Sequence, residues 1–479
     1  MKLYSESKEY KLYHGSMLDM LEVIEPNSID AILTDPPYEL NFMNKGWDNS
    51  GIAFNKEAWQ KCYEVLKPGG HLLAFGGSRT FHRIAVAIED AGFEIRDTIM
   101  WLYGSAMPKG INIGLAIDKR NGVDNRTGNI RTDGKATLGN IYEWANGRPD
   151  TKEYEERKAK NEWIGYNSQL KPAYEPIIVA RKPVEDSIVD NVIKYGVGGL
   201  NIDECRVGAE IVSIHNAPKG TFAGGEYGRG SDTSSYRDSV GRFPANVILT
   251  YDETDYEEVC GGMPYTKGNG SEPNYEKSNS ENRVYVQGKN KNWHKSGAHF
   301  DDEGSAARYF YCAKATKFDR DEGLENFVST TDKAKGNGLD IVCEFCGVSQ
   351  LTPELCHCKT KSWIIKPKKN THTTVKPVSL MRYLVRLVSP KGATILDCFN
   401  GSGSTGKAVM LENKEFKKDY KYIGIELTDE YLPISKARIE YIINNEFDFE
   451  KNEEKKISDY KPKNKALLDI FDFGVDDNE

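Results

Sequence analysis

Ser28-Ile29-Asp30-Ala31-Ile32-Leu33-Thr34-Asp35-Pro36-Pro37-Tyr38 is the stretch that decides the fold of this chain. Residues 30–34 make an apolar run of strand length. It stops at Asp35 because two consecutive prolines bring no N–H to the ladder of a central strand. Working outward, Tyr10–His14 reads as a short strand and a helical stretch ends at Leu66. Lys67-Pro68-Gly69-Gly70 reads as a turn, 71–75 as a strand, 80–91 as a helix and 93–103 as a strand. Strands alternating with helices imply a mostly parallel sheet with helices on both faces.

The alternation breaks near Gly104 and returns near Thr371 with a helix at 379–388, a strand at 393–397, a glycine loop, a helix and a strand at Lys421–Glu426. Between them lie a charged stretch, one strand at Tyr174–Arg181 and a long passage rich in glycine, serine and asparagine. Residues 217–241 show no helical or strand period and are expected to be loop-like or to fold on a partner. The expected organisation is a catalytic α/β domain of 1–109, 166–182 and 371–447, a charged helical insertion at 110–165, a second insertion at 183–370 and a charged tail at 448–479. The first set sums to roughly 200 residues, a usual size for one such domain.

Composition narrows the class. The chain has 479 residues, 38% of them apolar and 28% charged, which excludes collagen-like and wholly disordered proteins. No apolar run is long enough to span a bilayer and the start is polar, so no membrane partner is expected and the expected compartment is the cytoplasm. With 64 Lys and Arg against 72 Asp and Glu, the net charge is −8, so contact with a polyanion has to rest on a local basic patch. Nine cysteines, an odd number with one tight cluster, suit a reducing compartment better than a disulfide framework.

The loop Phe399-Asn400-Gly401-Ser402-Gly403-Ser404-Thr405-Gly406-Lys407 follows a strand and opens a helix, so it presents backbone N–H groups at the carboxyl edge of the sheet, where α/β ligands bind. Three ligands fit its pattern. Gly401, Gly403 and Gly406 match the dinucleotide fingerprint, with Glu426 placed as a ribose-binding acid. Gly401, Gly406 and Lys407 fit the P-loop spacing, but Ala408 lacks the hydroxyl that ligates magnesium. In the third reading the glycines admit the methionine part of S-adenosylmethionine, Asp397 pairs with its ammonium and Glu426 takes the ribose hydroxyls. A ligand-free strand-to-helix turn is the plain alternative.

Asp35-Pro36-Pro37-Tyr38 makes the choice. An exocyclic amine on a nucleobase is a poor nucleophile because its lone pair is delocalised into the ring. Acceptors for its two N–H groups hold it in a pyramidal geometry and stabilise the positive charge that develops on nitrogen. Asp35 and the Pro36 carbonyl supply such acceptors, the prolines stiffen the loop, and Tyr38 offers a ring for stacking on the base.

With these residues in place, the sequence resembles the amino-group DNA methyltransferases of the permuted β class, whose catalytic motif precedes the cofactor motif. The resemblance runs through residues 28–38, Val65-Leu66-Lys67-Pro68-Gly69-Gly70, the stretch from His372 to Pro377, and Leu396-Asp397-Cys398-Phe399-Asn400-Gly401-Ser402-Gly403. Leu170-Lys171-Pro172-Ala173-Tyr174-Glu175-Pro176 and Gly241-Arg242-Phe243-Pro244-Ala245-Asn246 look like phage- and prophage-type members. The resemblance implies a Rossmann-like, seven-stranded methyltransferase sheet with circularly permuted motif order and a large target-recognition insertion. It also implies S-adenosylmethionine, and methylation of adenine N6 in double-stranded DNA at specific sites, with cytosine N4 as the neighbouring activity. Members with Asp at the first motif position, as at Asp35, are more often adenine enzymes. The implied cofactor residues are Asp397, Phe399, Asn400, Gly401, Ser402, Gly403, Glu426, Lys376 and Ser16; the implied catalytic ones are Asp35, Pro36, Pro37 and Tyr38. Two positions depart from the pattern: Ser16 replaces the usual Asp after the early glycine, and His372-Thr373-Thr374 replaces His-Pro-Thr. The expected chemistry is direct in-line attack by a flipped-out base, without covalent intermediate or metal. No Pro-Cys nucleophile of the cytosine-C5 type is present. A partner restriction endonuclease is compatible with the resemblance, but no residue here indicates one. Pro149-Asp150 with Glu156-Arg157-Lys158 matches a nuclease metal motif superficially and reads better as a solvated helix.

Cys343-x2-Cys346 and Cys356-x-Cys358 form two short chelating turns suited to one structural zinc ion, with His357 as a substitute ligand. Such a clip orders a segment too glycine-rich to build its own core. Lys359, Lys361, Lys366, Lys368 and Lys369 around Trp363, and Lys289, Lys291 and Lys295 around Trp293, are candidate phosphate contacts. A catalytically silent, zinc-stabilised DNA-binding protein is the alternative from another class, and an intact Asp35 with an intact glycine loop weighs against it.

Overall fold

A computed structural model describes residues 2–40, 46–103, 110–123, 160–216, 235–250, 265–267, 303–305, 310–312, 320–324, 341–343, 358, 363–365 and 370–447. The chain divides into two compact units, Met1–Leu102 with Glu175–Glu479, and Tyr103–Tyr174.

In the larger unit the chain begins with β1 (Lys2–Glu6), β2 (Tyr10–His14), α1 (Met17–Leu21) and β3 (Ile29–Thr34). It continues through α2 (Lys56–Val65), β4 (Leu66–Phe75), α3 (Phe81–Asp90) and β5 (Glu94–Tyr103). The smaller unit contains α4 (Ile113–Arg120), which starts where the Asn112 side chain accepts a hydrogen bond from Leu115 N. Then come β6 (Tyr174–Arg181), α5 (Ile188–Tyr195), β7 (Val207–Asn216), β8 (Ser235–Arg242) and β9 (Val247–Thr250). Five short strands follow: β10 (Tyr265–Lys267), β11 (Glu303–Ser305), β12 (Tyr311–Cys312), β13 (Ile341–Cys343) and β14 (Trp363–Ile365). The last elements are α6 (Val378–Val388), β15 (Thr394–Asp397), α7 (Ser404–Phe416), β16 (Lys421–Glu426) and α8 (Leu432–Asn444).

Ten strands form one sheet in the order β1-β2-β16-β15-β3-β4-β6-β5-β9-β12. The stretch β2-β16-β15-β3-β4 is parallel throughout, while β1 and β6 pair antiparallel with β2 and β4. The expected alternation therefore builds the centre. The sheet exceeds the expected seven strands because the N-terminal hairpin extends one edge and β9 and β12 extend the other. Every residue of β3 is buried, which requires cover on both faces. Ile29 and Ile32 join Leu72, Ala74, Trp59, Val65, Ile84 and Ile88 in one buried cluster, so that α2 and α3 share a core with β3 and β4.

Two local expectations are corrected. Lys67-Pro68-Gly69-Gly70 is a bulge inside β4 and not a turn before it. Its backbone stays paired, Gly69 N donating to Lys182 O and Lys182 N to Gly70 O. Part of the stretch at 217–241 is strand, because β8 pairs antiparallel with β7; residues 217–234 lie outside the described ones. The passage after β6 also holds a helix for which the sequence reading gave no expectation: α5, capped by Ser187 at its start and by left-handed Gly196 at its end.

Residues 149–158, Lys289 to Lys295, Lys359, Lys361, Lys366, Lys368, Lys369, Cys346, Cys356, His357 and the tail at 448–479 lie outside the described residues. Antiparallel pairing of β13 with β14 sets Cys343 opposite Trp363. Among the described residues no group of three potential metal ligands is gathered, and no helix is long and apolar enough to cross a membrane.

Candidate functional site

Parallel strands bring their carboxyl ends to one edge, so Asp35 just after β3, Phe75 at the end of β4, Asp397 at the end of β15 and Glu426 at the end of β16 are neighbours there. Because β6 runs the other way, with Ile177 opposite Phe75, its beginning reaches the same edge and delivers Glu175. Lys376 arrives from the segment that enters α6 through Pro377.

These residues interlock around Asp35. The Lys376 ammonium donates to Asp35 Oδ2 at 2.6 Å and lies 3.5 Å from Glu175 Oε2. It also sits 5.3 Å from the centre of the Tyr38 ring and 5.0 Å from that of Phe75. The Tyr38 hydroxyl donates to Glu175 Oε2 at 2.7 Å, and its carbonyl accepts from Thr80 Oγ1 at 2.8 Å. Asp35 Oδ1 is buried and has no hydrogen-bond partner among the described residues. Burial pushes the Asp35 carboxyl above the ordinary carboxylate range, the nearby Glu175 adds to this and Lys376 opposes it. Burial by itself would lower Lys376, but Asp35 and Glu175 outweigh it and leave the ammonium raised. Lys376, assigned from the resemblance to the cofactor, thus stands beside the Asp-Pro-Pro-Tyr motif.

Asp397 joins that motif to the glycine loop. Its Oδ1 accepts from Thr34 Oγ1 at 2.7 Å and Phe399 N at 3.1 Å, and its Oδ2 from Thr405 Oγ1 at 2.6 Å. These contacts fix the position of the carboxylate expected to pair with the cofactor's ammonium group. Burial raises its pKa to about 6 against the pull of the two hydroxyls and the Phe399 N–H.

The loop is held from α8. Asn400 donates to Ser435 Oγ at 2.9 Å and accepts from Tyr422 OH at 2.8 Å, while Arg438 donates to Ser402 O at 2.6 Å and Ser402 Oγ at 3.0 Å. Asn400 and Ser402 therefore shape the loop with their side chains. Gly401 and Gly403 take positive φ, 52° and 76°. Glu426 accepts from Gly401 N at 2.7 Å on one oxygen and from Thr428 N at 2.7 Å on the other. Burial raises it and those two N–H groups oppose the rise. The Ser16 hydroxyl caps α1, accepting from Leu18 N at 3.2 Å.

His372, at the head of the stretch that departs from His-Pro-Thr, lies against this loop, its ring beside Gly401. Its ring meets Tyr431 edge-on at 4.6 Å, and burial, with Lys376, Arg438 and Arg320 nearby, lowers its pKa to about 3, so the imidazole is neutral. Arg320 donates to the carbonyls of Asn370 (3.0 Å) and His372 (2.8 Å), and Asp321 accepts from Asn370 N at 3.1 Å. Glu322 of the same segment pairs with Lys407 of α7, whose side chain is fully buried. Glu175 and the segment 320–324 are the site-building residues that sequence reading missed.

The pattern of the N6/N4 DNA methylase family matches residues 29–437, a span that runs from the Asp-Pro-Pro-Tyr motif through the glycine loop. The chain belongs to this family. Over 241 residues, 44% of this methylase and 87% of the relative, it is 27% identical to the type II methyltransferase M2.LlaDCHI of Lactococcus lactis subsp. cremoris. It is 26% identical to the type II methyltransferase M2.DpnII of Streptococcus pneumoniae over the same shares of each chain. Among solved structures, the PvuII DNA methyltransferase, described as cytosine-N4-specific, aligns over 92% of the methylase and 94% of its own chain, at 13% identity and a TM-score of 0.38.

Proposed function

We propose that this DNA methylase is a site-specific enzyme of the permuted class that moves a methyl group from S-adenosylmethionine to N6 of adenine in double-stranded DNA. The observation that carries the reading is Asp35 Oδ1. A buried, unpartnered carboxylate oxygen beside an aromatic ring, on the sheet edge that also holds the glycine loop, is an acceptor waiting for an amine.

The donor set at the loop fits S-adenosylmethionine. Each Glu426 oxygen accepts one backbone N–H and keeps a lone pair for one hydroxyl of a ribose diol. When bound, S-adenosylmethionine supplies an electrophilic methyl group on a positively charged sulfur. Phe399, Gly401 and Gly403 shape the passage for it, and Asp397 braces that passage against β3 through Thr34. The target base leaves the duplex, stacks on Tyr38 and offers its amine hydrogens to Asp35 and the Pro36 carbonyl. Adenine is favoured over cytosine by Asp at position 35. Cys343, Cys346, Cys356 and Cys358 hold one structural zinc ion in the insertion that reads the DNA site.

The test is incubation of the purified protein with unmethylated plasmid DNA and labelled S-adenosylmethionine, followed by nucleoside mass spectrometry. N6-methyladenine is expected, and Asp35→Ala should lower its yield by roughly 10²–10³-fold with cofactor binding retained. N4-methylcytosine would move the target to cytosine. No methylated nucleoside of either kind would sink the reading.

A further inference from the structure

The smaller unit keeps large apolar side chains in water although it is firmly built. Residues 111–113 and 166–168 form an antiparallel tie, in which Ile111 N donates to Ser168 Oγ at 2.8 Å, Ser168 N to Ile111 O at 3.0 Å and Ile113 N to Tyr166 O at 3.0 Å. The segment ahead of Tyr166 is fastened to α4. There the buried Asp118 accepts from Lys160 N at 2.7 Å and from Asn161 Nδ2 at 2.5 Å, and the same amide donates to Gly114 O at 2.9 Å. Around the tie Ile111, Trp163, Ile164, Tyr166 and Leu170 are exposed, Trp163 meeting Tyr166 edge-on at 5.1 Å. Leu170, at 92%, is the most exposed large apolar residue among those described. An ordered scaffold that holds such side chains outward marks a surface that another molecule covers.

Charge selects the occupant. Residues 103–174 carry 12 Lys and Arg against 9 Asp and Glu, in a chain whose net charge is −8. Among the described residues of this unit Glu162 is the only exposed acid, whereas Lys119, Arg120 and Lys160 are exposed bases. Lys119 and Arg120 stand in the last turn of α4, and neither side chain makes an ion pair among the described residues. A second copy of the unit would bring like charge to like charge. A DNA duplex instead offers phosphates to the cations and, where a base has left the stack, a gap that an apolar wedge fills. We propose that this face of the smaller unit is a DNA-contacting surface, with Lys119 and Arg120 on the phosphate backbone and Leu170 entering the base stack beside the extruded base.

The wedge rests on the methyl-transfer reading, because only an extruded base leaves a gap to fill. Five residues of chain lead from Leu170 to Glu175, at most about 18 Å of backbone, so a duplex gripped at Leu170 is the one presented to the base pocket. Beside Leu170, the exposed Asn167 and Gln169 bring side-chain amides suited to base edges. The surface is separate from the insertion at 183–370.

The experiment uses the full chain, a fluorescein-labelled duplex cut from unmethylated plasmid and titrated by anisotropy over a range of salt, and single-turnover methyl transfer to the same plasmid. Lys119→Gln combined with Arg120→Gln should weaken duplex binding about tenfold at about 0.1 M salt and reduce the slope of log affinity against log salt by about two. Lys8→Gln combined with Lys11→Gln removes the same charge from exposed positions of the N-terminal hairpin and should leave that slope unchanged. Leu170→Ala should slow transfer about tenfold, Leu170→Phe should stay within about threefold of wild type, and both should keep the wild-type urea midpoint and S-adenosylmethionine Kd. Unchanged affinity and slope in the Lys119 and Arg120 variant overturn the inference, as does a wild-type transfer rate in Leu170→Ala. A dimer in light scattering that Leu170→Asp splits also overturns it, since the patch would then be a self-contact. Wild type that transfers no methyl group, with duplex binding still weakened in the Lys119 and Arg120 variant, removes the methyl-transfer reading and keeps the surface.

Discussion

Gly403→Ala and Gly392→Ala form a matched pair that isolates the packing of the glycine loop. Both glycines are left-handed, at φ 76° and 79°. Each substitution therefore carries the same backbone cost, about 1–2 kcal/mol. A Cβ at Gly392 meets nothing within 4 Å. A Cβ at Gly403 lies 2.5 Å from Ser435 Oγ and 3.0 Å from Ser435 Cα. The hydroxyl cannot simply turn away, since it bonds Asn400, and the Cα belongs to α8. Overpacking of this kind costs about 1–3 kcal/mol, and breaking the Asn400–Ser435 contact adds about 1 kcal/mol. Gly403→Ala should thus destabilise by about 3–6 kcal/mol and Gly392→Ala by about 1–2 kcal/mol. Urea unfolding gives both values, and calorimetry should show S-adenosylmethionine affinity lowered only by Gly403→Ala. Equal destabilisation by the two would refute the packing argument, and unchanged cofactor affinity in Gly403→Ala would detach the loop from the cofactor.

Two further predictions concern charge and metal. Asp397 has a folded pKa of about 6 against 3.8 when unperturbed, so between about pH 4 and 6 the folded state binds more protons than the unfolded and stability falls as pH rises. Asp397→Asn should lessen that fall by on the order of 3 kcal/mol in urea titrations across the window; a variant with the same pH slope as wild type would mean that Asp397 does not titrate there. The four-cysteine cluster predicts about one zinc per purified chain by elemental analysis, reduced by Cys343→Ser with cofactor binding retained. Metal-free protein with full methyl transfer would return the four cysteines to ordinary thiols.

What was legible in the sequence was local. The apolar run before Asp35 and the strand at Lys421–Glu426 announce themselves through burial, and the glycine loop through its residues at a strand-to-helix junction. The β7–β8 pair was hidden because its second strand carries only Tyr236 and Val240 as strand formers among serine, arginine, aspartate and glycine. The helix α5 was hidden for a different reason. Its buried residue is Asn191, bonded to Pro68 O and Val197 O, while Ile188, Val189, Val192 and Ile193 are exposed. At the site, Asp35 and Glu426 could be read from motifs, but the destination of Lys376 could not. Its partner lies 341 positions away and no spacing rule connects them. Glu175 was in plain view inside Leu170-Lys171-Pro172-Ala173-Tyr174-Glu175-Pro176. Its importance comes from the reversal of one strand, which is a property of topology and leaves no trace in composition.

The segment 320–324 limits how this enzyme can be re-engineered. It belongs by position to the stretch between 183 and 370, yet Arg320 fastens the chain just ahead of Lys376, Leu324 is fully buried, and Gly323 lies so close to Tyr441 of α8 that a Cβ would come within 2.8 Å. Replacing that whole stretch, proposed above to read the DNA site, with its counterpart from another methylase would transplant a fastening of the Lys376 segment along with it. The seam of a working chimera falls outside 320–324, because a foreign segment without a carboxylate at position 322 would leave the Lys407 ammonium fully buried without its Glu322 counter-ion.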